Sequence, residues 1–437
     1  MAAEAVAGFG KAVELAGADG PAEEATRTID GGFNLAQALM AGRGLMDEGA
    51  GGSVGEALRM ADEARAWLER VEALQRQEMA NAGFTAADDG AQPAEDDVDI
   101  PALTSAAAAA EAEARTTTLI TPNQVLDTLL ELIQALLALH SSAPPDGSAP
   151  LSLALVAALD RAVGVRQLIP AGQDNREQDI EFELAALAVA DALATAGATG
   201  ADSKYALPPA QVRDRYALLV TSSPGNPELA SAYADHLVDS VPTSPSAAAP
   251  SSETLATIEL ALATYQKAHA LLSDRFAPVK SIPAHTLPSL LVSNLLSRAH
   301  VLLLLHHLEP STALPDGQLP LAAAHRLALD AVPLSGVGVK FSANGGLVRL
   351  GPAEPRQDWR SAKAFRDAAV AVARVRMRDS SGKLGAAGEV LGVWAKLSGR
   401  ELRAEVEWAV GEVRGDGVWE ASGGEEEGAW ARLLASA

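Results

Sequence analysis

The sequence predicts an all-α protein: an α-solenoid of antiparallel helix pairs with long inserted loops and a small β-hairpin insert. Three observations carry this. Apolar residues recur every three or four positions along most of the chain, the spacing that lines one face of a helix. The apolar set, 48% of 437 residues, is mostly Ala, Leu and Val, with only 4% aromatic; thin, Ala-rich helices suit close helix-on-helix layers. Breaks rich in Pro, Gly and Ser divide the pattern into successive segments of helix length.

Residues 2–16 read as a first helix, with Val6, Phe9, Val13 and Leu15 near one face. Pro21 opens the next stretch, which runs through Phe33, Leu35, Leu39 and Met40. After a glycine-rich break at Gly49–Gly55, a long amphipathic helix spans about 54–80 through Leu58, Ala61, Ala64, Leu68, Val71 and Leu74. Residues 81–120 change character: Asp88, Asp89, Glu95, Asp96, Asp97 and Asp99 surround Pro93, and alanines follow. This reads as an acidic, Ala-rich linker. Pro122 sits where a helix begins, and Leu126, Leu129, Leu130, Ile133, Leu136 and Leu137 give it a wide apolar face. Further helices are expected near 151–168, 178–196, 208–220, 252–274, 286–308 and 318–331, with a low-complexity loop at 240–253. At 336–350 the period changes. Val337, Val339 and Phe341 alternate, Asn344-Gly345 turns, and Leu347 and Val348 continue, which is a hairpin pattern. Helices resume at about 356–378, 383–397 and 400–412, and the acidic glycine-rich stretch Gly423–Gly428 is expected to interrupt the tail before a last short turn. The blocks are therefore 1–80, 81–120, 121–335 and 336–437.

Charge is uneven. Lys and Arg number 34 against 57 Asp and Glu, a net of −23. Residues 1–100 hold 20 acids and 7 bases, more than half of that excess. Such a surface repels nucleic acid and anionic membranes and attracts basic partners, most strongly at low salt. Direct DNA binding and a membrane partner are not expected. Residues 331–400 oppose the trend with 12 bases and 5 acids. Arg360, Lys363, Arg366, Arg374, Arg376 and Arg378 share one helix with Trp359 and Phe365. That helix is a candidate basic docking surface for an acidic protein, for the chain's own acidic segments or for RNA; a surface helix paired with neighbouring acids has the same pattern.

The chain has no cysteine, which excludes disulfides, thiolate zinc sites and thiol catalysis. The opening MAAEAVAGFG carries Glu4 and lacks a basic segment before an apolar core, so no signal peptide is expected. No uninterrupted apolar run approaches the roughly 20 residues of a membrane span. A cytoplasmic or nuclear protein is the simplest reading. His300, His306 and His307 cluster on a leucine-rich helix without HExxH spacing. No phosphate loop, dinucleotide fingerprint or GxSxG elbow is present. No catalytic, metal or cofactor site is therefore expected.

Three segments place an aromatic three residues before an alanine: Phe9 with Ala12, Tyr265 with Ala268, and Phe365 with Ala368. Two share more, Phe9-Gly-Lys11-Ala12 with Leu15, and Tyr265-Gln-Lys267-Ala268 with Leu271. The fullest unit is 227–274, where Asn226-Pro227-Glu228 opens a helix and Tyr233, Ala234 and Leu237 supply a large-small-large pattern. Phe33, Ala36, Gln37 and Met40 follow the same scheme. This resembles a degenerate tetratricopeptide repeat (TPR), with its period of about 34 residues broken by insertions. The resemblance covers about half of the chain, and the expected first-helix tryptophan is missing. It implies a concave ligand surface on the first helices, formed here by Glu228, Ser231, Asp235 and Asp239, and by Asn34 in the N-terminal unit. The same stripe also suits a solvated outer face. The lysines of the TPR clamp for acidic chaperone tails are absent around Asn34, so that mode is not expected. Acidic TPR proteins that escort newly made ribosomal proteins are similar in architecture and charge. The resemblance thus implies an adaptor or dedicated chaperone whose partner is a basic protein or peptide segment, ribosomal proteins included. A structural subunit of a larger complex is the alternative.

Overall fold

The computed structural model describes residues 29–40, 54–81, 120–143, 148–169, 175–197, 205–242, 250–276, 287–335, 339–341, 347–349, 359–378, 384–399, 401–414, 416–422 and 424–437. The expected first helix at 2–16, with its Phe9 and Ala12 pair, and positions 82–119 of the linker lie outside the described residues. The described chain is all-α apart from one hairpin, and its helices pack consecutively on their neighbours, a solenoid-like arrangement. It falls into two compact units, Met1–Val212 and Arg213–Ala437, each with its own core. This division falls inside the stretch that the sequence presents as one block, 121–335.

The first unit contains α1 (29–40), α2 (Val54–Asn81), α3 (Pro122–Ser142), α4 (Ser148–Arg166), α5 (Arg176–Thr195) and the start of α6 (Pro209–Ser222). Helix α3 is its centre, packed by α2, α4 and α5. Its start is set locally. Thr121 caps the Gln124 amide, the Gln124 side chain returns to the Thr121 amide, and Pro122 takes the first turn, where no backbone donor is needed. The helix then buries residues around its circumference, among them Val125, Leu129, Leu132, Ile133 and Leu136. Its neighbours meet it with alternating large and small side chains: Ala61, Ala64, Leu68 and Val71 on α2, and Leu155, Ala158, Leu159 and Ala162 on α4. Helix α1 reaches α2 at Gly32, where a Cβ would stand 2.8 Å from Val71 Cγ2 and 3.2 Å from Trp67 Cε3. Arg166 ties α4 to α5, pairing with Asp179 and Glu183 at 3.0 Å each and covering the Phe182 ring.

By length and composition alone α3 and α4 are apolar enough to cross a membrane, although neither holds an uninterrupted apolar run of that length. Single polar residues such as Asp127 and Glu131 break the runs. In this fold α3 is the helix around which the first core assembles.

The second unit continues with α7 (Pro227–Asp239), α8 (Ser252–Phe276), α9 (Leu287–Leu308), α10 (Pro320–Leu334), the strands β1 (Val339–Phe341) and β2 (Leu347–Arg349), then α11 (Trp359–Arg378), α12 (Leu384–Ser398), α13 (Leu402–Val413), α14 (Gly417–Ala421) and α15 (Glu425–Ser436). Asn226 caps α7 by accepting from the Leu229 amide at 2.8 Å, and Pro227 takes the first turn. The large-small pattern is the α7–α8 interface: Tyr233, Ala234 and Leu237 are buried with Ala261, Tyr265 and Ala268. Helix α9 packs against α7, α8, α10, α11 and α14, and Val301–Leu305 are all buried. The hairpin is antiparallel, pairing Val339 with Arg349 and Phe341 with Leu347, and β1 leans on α10. Its turn, 342–346, lies outside the described residues.

The C-terminal region departs from expectation. The glutamates after Gly423 do not interrupt a tail; they form the first turn of the twelve-residue helix α15. Gly424, at φ 94°, makes the left-handed step into it, and Glu425, Glu426 and Glu427 complement the positive end of its dipole.

Two substitutions test the first core. Ile133→Ala, at a fully buried site, is expected to cost about 2–5 kcal/mol, and Thr121→Ala about 0.5–2 kcal/mol, both read by urea denaturation.

Candidate functional site

A groove of about 250 Å³ opens in the second unit between α7 and α9, with α8 as its floor. Helix α7 contributes Glu228, Ser231 and Asp235; α8 contributes Tyr265 and Leu272; α9 contributes Leu290, Asn294 and Ser297. Each stripe follows helical spacing of three, four or seven residues, so each presents one line of side chains. Three of the four expected residues of α7 therefore line one groove. Asp239 does not line it: it is exposed one turn beyond Asp235, a correction to its grouping with the others. Asn34 is exposed on α1 in the first unit and does not line this groove.

The groove is internally braced. The Tyr265 hydroxyl donates to Asp235 Oδ1, and Ser297 donates to the Tyr265 hydroxyl oxygen. Asn294, 4% exposed, donates from Nδ2 to the Tyr265 carbonyl at 3.2 Å. Loss of surrounding water raises the Asp235 carboxyl above its usual range, opposed by the Tyr265 hydrogen bond. Burial, reinforced by the Asp235 charge, raises the Tyr265 hydroxyl well above the ordinary tyrosine range, so it remains a donor. Asp235 still meets solvent at the groove mouth. None of the lining residues is basic.

On the basic helix α11, of the alternatives the sequence leaves open, the described arginines meet the chain's own acids. Arg366 and Arg374 are each 5% exposed and Arg376 is 7% exposed. Arg374 donates from Nε to Glu426 Oε1 at 2.6 Å, from Nη1 to Asp416 Oδ2 at 2.7 Å and from Nη2 to Asp416 Oδ1 at 2.9 Å. Arg378 donates from Nη2 to Glu426 Oε2 at 2.5 Å, and Trp430 from Nε1 to Glu426 Oε1 at 3.2 Å. Arg366 lies over the Trp408 ring and 3.5 Å from Glu405, which also accepts from Trp394 Nε1 at 2.7 Å. Arg374 thus holds Asp416 and Glu426 while Arg366 lies against Glu405 and Trp408, and neither side chain offers an exposed docking surface. Arg360 and Lys363 belong to the first turns of α11, and their side chains lie outside the described residues.

Three histidines border this network. Arg378 can only donate, so its 3.1 Å contact assigns the His307 Nδ1 as acceptor and places that ring's proton on Nε2. Burial, with the neighbouring Arg378 charge, pushes His307 down to about 3. Burial lowers His300, against the pull of Asp416 at 3.8 Å. Burial and Arg378 lower His306. Asp416 and Glu426 are raised by burial and lowered more by Arg374, so both end below their usual values. A cavity of about 620 Å³ bordered by His306, His307, Arg378 and Arg432 adjoins the network. Among the described residues no group of three or more His, Asp or Glu is arranged to hold a metal ion.

Fold and site together define an all-α, solenoid-like protein with a braced acidic groove. No protein-family model and no curated protein matches the chain.

The network sets the response to acid. The unfolded histidines take up protons near their ordinary value of 6.5, whereas folded His307 does so only near 3. Stability therefore falls as pH drops from about 6.5 toward 3. Below the ordinary values of Asp416 and Glu426, 3.8 and 4.5, the stability contributed by the Arg374 pairing also declines, and it is lost as pH falls through their lowered folded values. Urea midpoints across this range are expected to fall with pH, with a shallower fall in His307→Gln. Arg374→Gln, which takes the arginine from Asp416 and leaves Glu426 to Arg378 and Trp430, is expected to cost about 3–5 kcal/mol at neutral pH.

Proposed function

We propose that this protein is a binding adaptor or dedicated chaperone that holds a basic protein segment against an acidic helical scaffold. One observation carries the reading: two parallel stripes, Glu228-Ser231-Asp235 and Leu290-Asn294-Ser297, wall a single groove that has carboxylates and no cation in its lining. A lysine or arginine reaching Asp235 makes a charge-assisted hydrogen bond, worth about 1.5–3 kcal/mol. The net charge of −23 draws such a partner in and makes capture salt-dependent. The large-small interlock of Tyr233, Ala234, Ala261, Tyr265 and Ala268 supports reading the helix pairs as degenerate TPR units. The same chemistry suits newly made ribosomal proteins as clients in the cytoplasm or nucleus.

A scaffold subunit of a larger complex is the second reading, favoured by exposed leucines such as Leu153 and Leu218, 73% and 67% exposed. Sedimentation of the purified chain separates the two, since a scaffold subunit self-associates or is insoluble alone.

Binding of a lysine- and arginine-rich peptide, measured by calorimetry, is expected to weaken steeply with added salt. Glu228→Gln with Asp235→Asn is expected to weaken it by on the order of tenfold or more, and Asp239→Asn to have a smaller effect. Salt-independent binding, or an unchanged affinity in the double variant, would sink the reading.

A further inference from the structure

The groove has two chemically different ends. At one, Asp235, Tyr265, Asn294 and Ser297 stand level, tied by the hydrogen bonds described above. At the other, Pro227, Leu272 and Leu290 come together. Leu272 lies seven residues beyond Tyr265 on α8, and Leu290 seven before Ser297 on α9. Seven residues are close to two helical turns, about 10.5 Å. The carboxylate end and the apolar end are therefore separated by that distance along the groove.

The apolar end is not sealed by the protein. Leu290 is 40% exposed at its wall, while Pro227 and Leu272 beneath are buried. Glu228 stands on the rim at this end, which disfavours an acidic neighbour there. A polyproline-type extended chain returns to the same face every three residues at about 3.1 Å each, so three residues cover about 9 Å, close to the separation of the two ends, whereas a β-strand points side chains three apart to opposite faces. An α-helical ligand would cover the same distance only in seven.

Resting on the peptide-binding reading above, we infer that the groove selects a polyproline-type extended segment in which a lysine or arginine and a large apolar side chain stand three residues apart on one face. The cation pairs with Asp235, and the apolar side chain packs on Leu272 and Leu290. Ser293, exposed on α9 between the two ends, faces the backbone of such a segment. Charge alone then does not define the ligand: a polybasic peptide without the apolar residue fills only half of the groove.

The experiment uses the full chain and neutral Ser/Ala host peptides carrying one lysine and one leucine at separations of one to seven residues, compared by competition against a fluorescent lysine-rich peptide. The separation of three is expected to bind about tenfold more tightly than one, five or seven, the factor that burial of a leucine supplies. Leu290→Ser, at an exposed position that leaves the core untouched, is expected to erase the preference for leucine and keep the dependence on lysine. Asp235→Asn is expected to do the reverse. Equal affinity at all separations, a maximum at seven, or a leucine preference that survives Leu290→Ser overturns the spacing rule. In those cases salt-sensitive binding that still needs Asp235 leaves the broader reading standing. Absence of any Asp235-dependent binding overturns both.

Discussion

Helices in this protein approach one another through alanine. Ala234, Ala261 and Ala268 at the α7–α8 contact, Ala299, Ala324 and Ala328 between α9 and α10, and Ala368 with Ala369 on α11 are all essentially sealed from solvent. A chain with 4% aromatic residues and no cysteine has few large side chains and no cross-links to hold its layers. Close backbone approach lets the leucines and the few rings make many contacts at native density. The groove depends on this too. Tyr265 can extend to Asp235 from the floor because Ala261 and Ala268, either side of it on α8, leave room for α7 and α9 to close on both sides.

Much of this was legible in the sequence because it is local. The Asn226-Pro227 start of α7, the buried set Tyr233, Ala234 and Leu237, and the 339–349 hairpin follow from spacing and turn chemistry within a few residues. What escaped is non-local. A basic stripe such as Arg366, Arg374 and Arg378 has the same pattern whether it faces water or the interior. Its meaning rests on Asp416 and Glu426, 42 and 52 residues from Arg374. Similarly, Glu228, Ser231 and Asp235 were placed on one stripe by helical spacing, but only α9 completes the groove, and Leu290, Asn294 and Ser297 carried no motif that would have selected them. Asp239 shared the stripe and fell outside because the groove ends before it. Gly423–Gly428 looked like a break because glycine is read as a helix stop, whereas left-handed Gly424 is the step that begins α15.

Helix α9 joins the two polar systems of the second unit. Its first half walls the groove through Leu290, Asn294 and Ser297. Its second half carries His300, His306 and His307 beside the arginine network. Between His300 and His306 lies Val301–Leu305, all buried. The carboxylates that neutralise the buried arginines therefore also hold in place the helix that forms one wall of the groove. A buried charge cluster contributes little net stability while its members are paired, yet loses much when one is removed, so the wall is fixed by geometry more than by energy.

The separate cores impose an order on biosynthesis. The first closes on residues between Ile29 and Leu193, so it can form while later segments are still being made, as is usual for domains emerging from the ribosome. The second needs Trp430 and Leu433, and Arg374 finds its acids only at Asp416 and Glu426. Throughout the interval between translation of α11 and of α15, the arginines of α11 and the apolar surface of α9 stand without their final cover. The acidic groove on α7 and α8 emerges early and its last wall is secured late, which makes the completion of α15 the step that ends the nascent state of this unit.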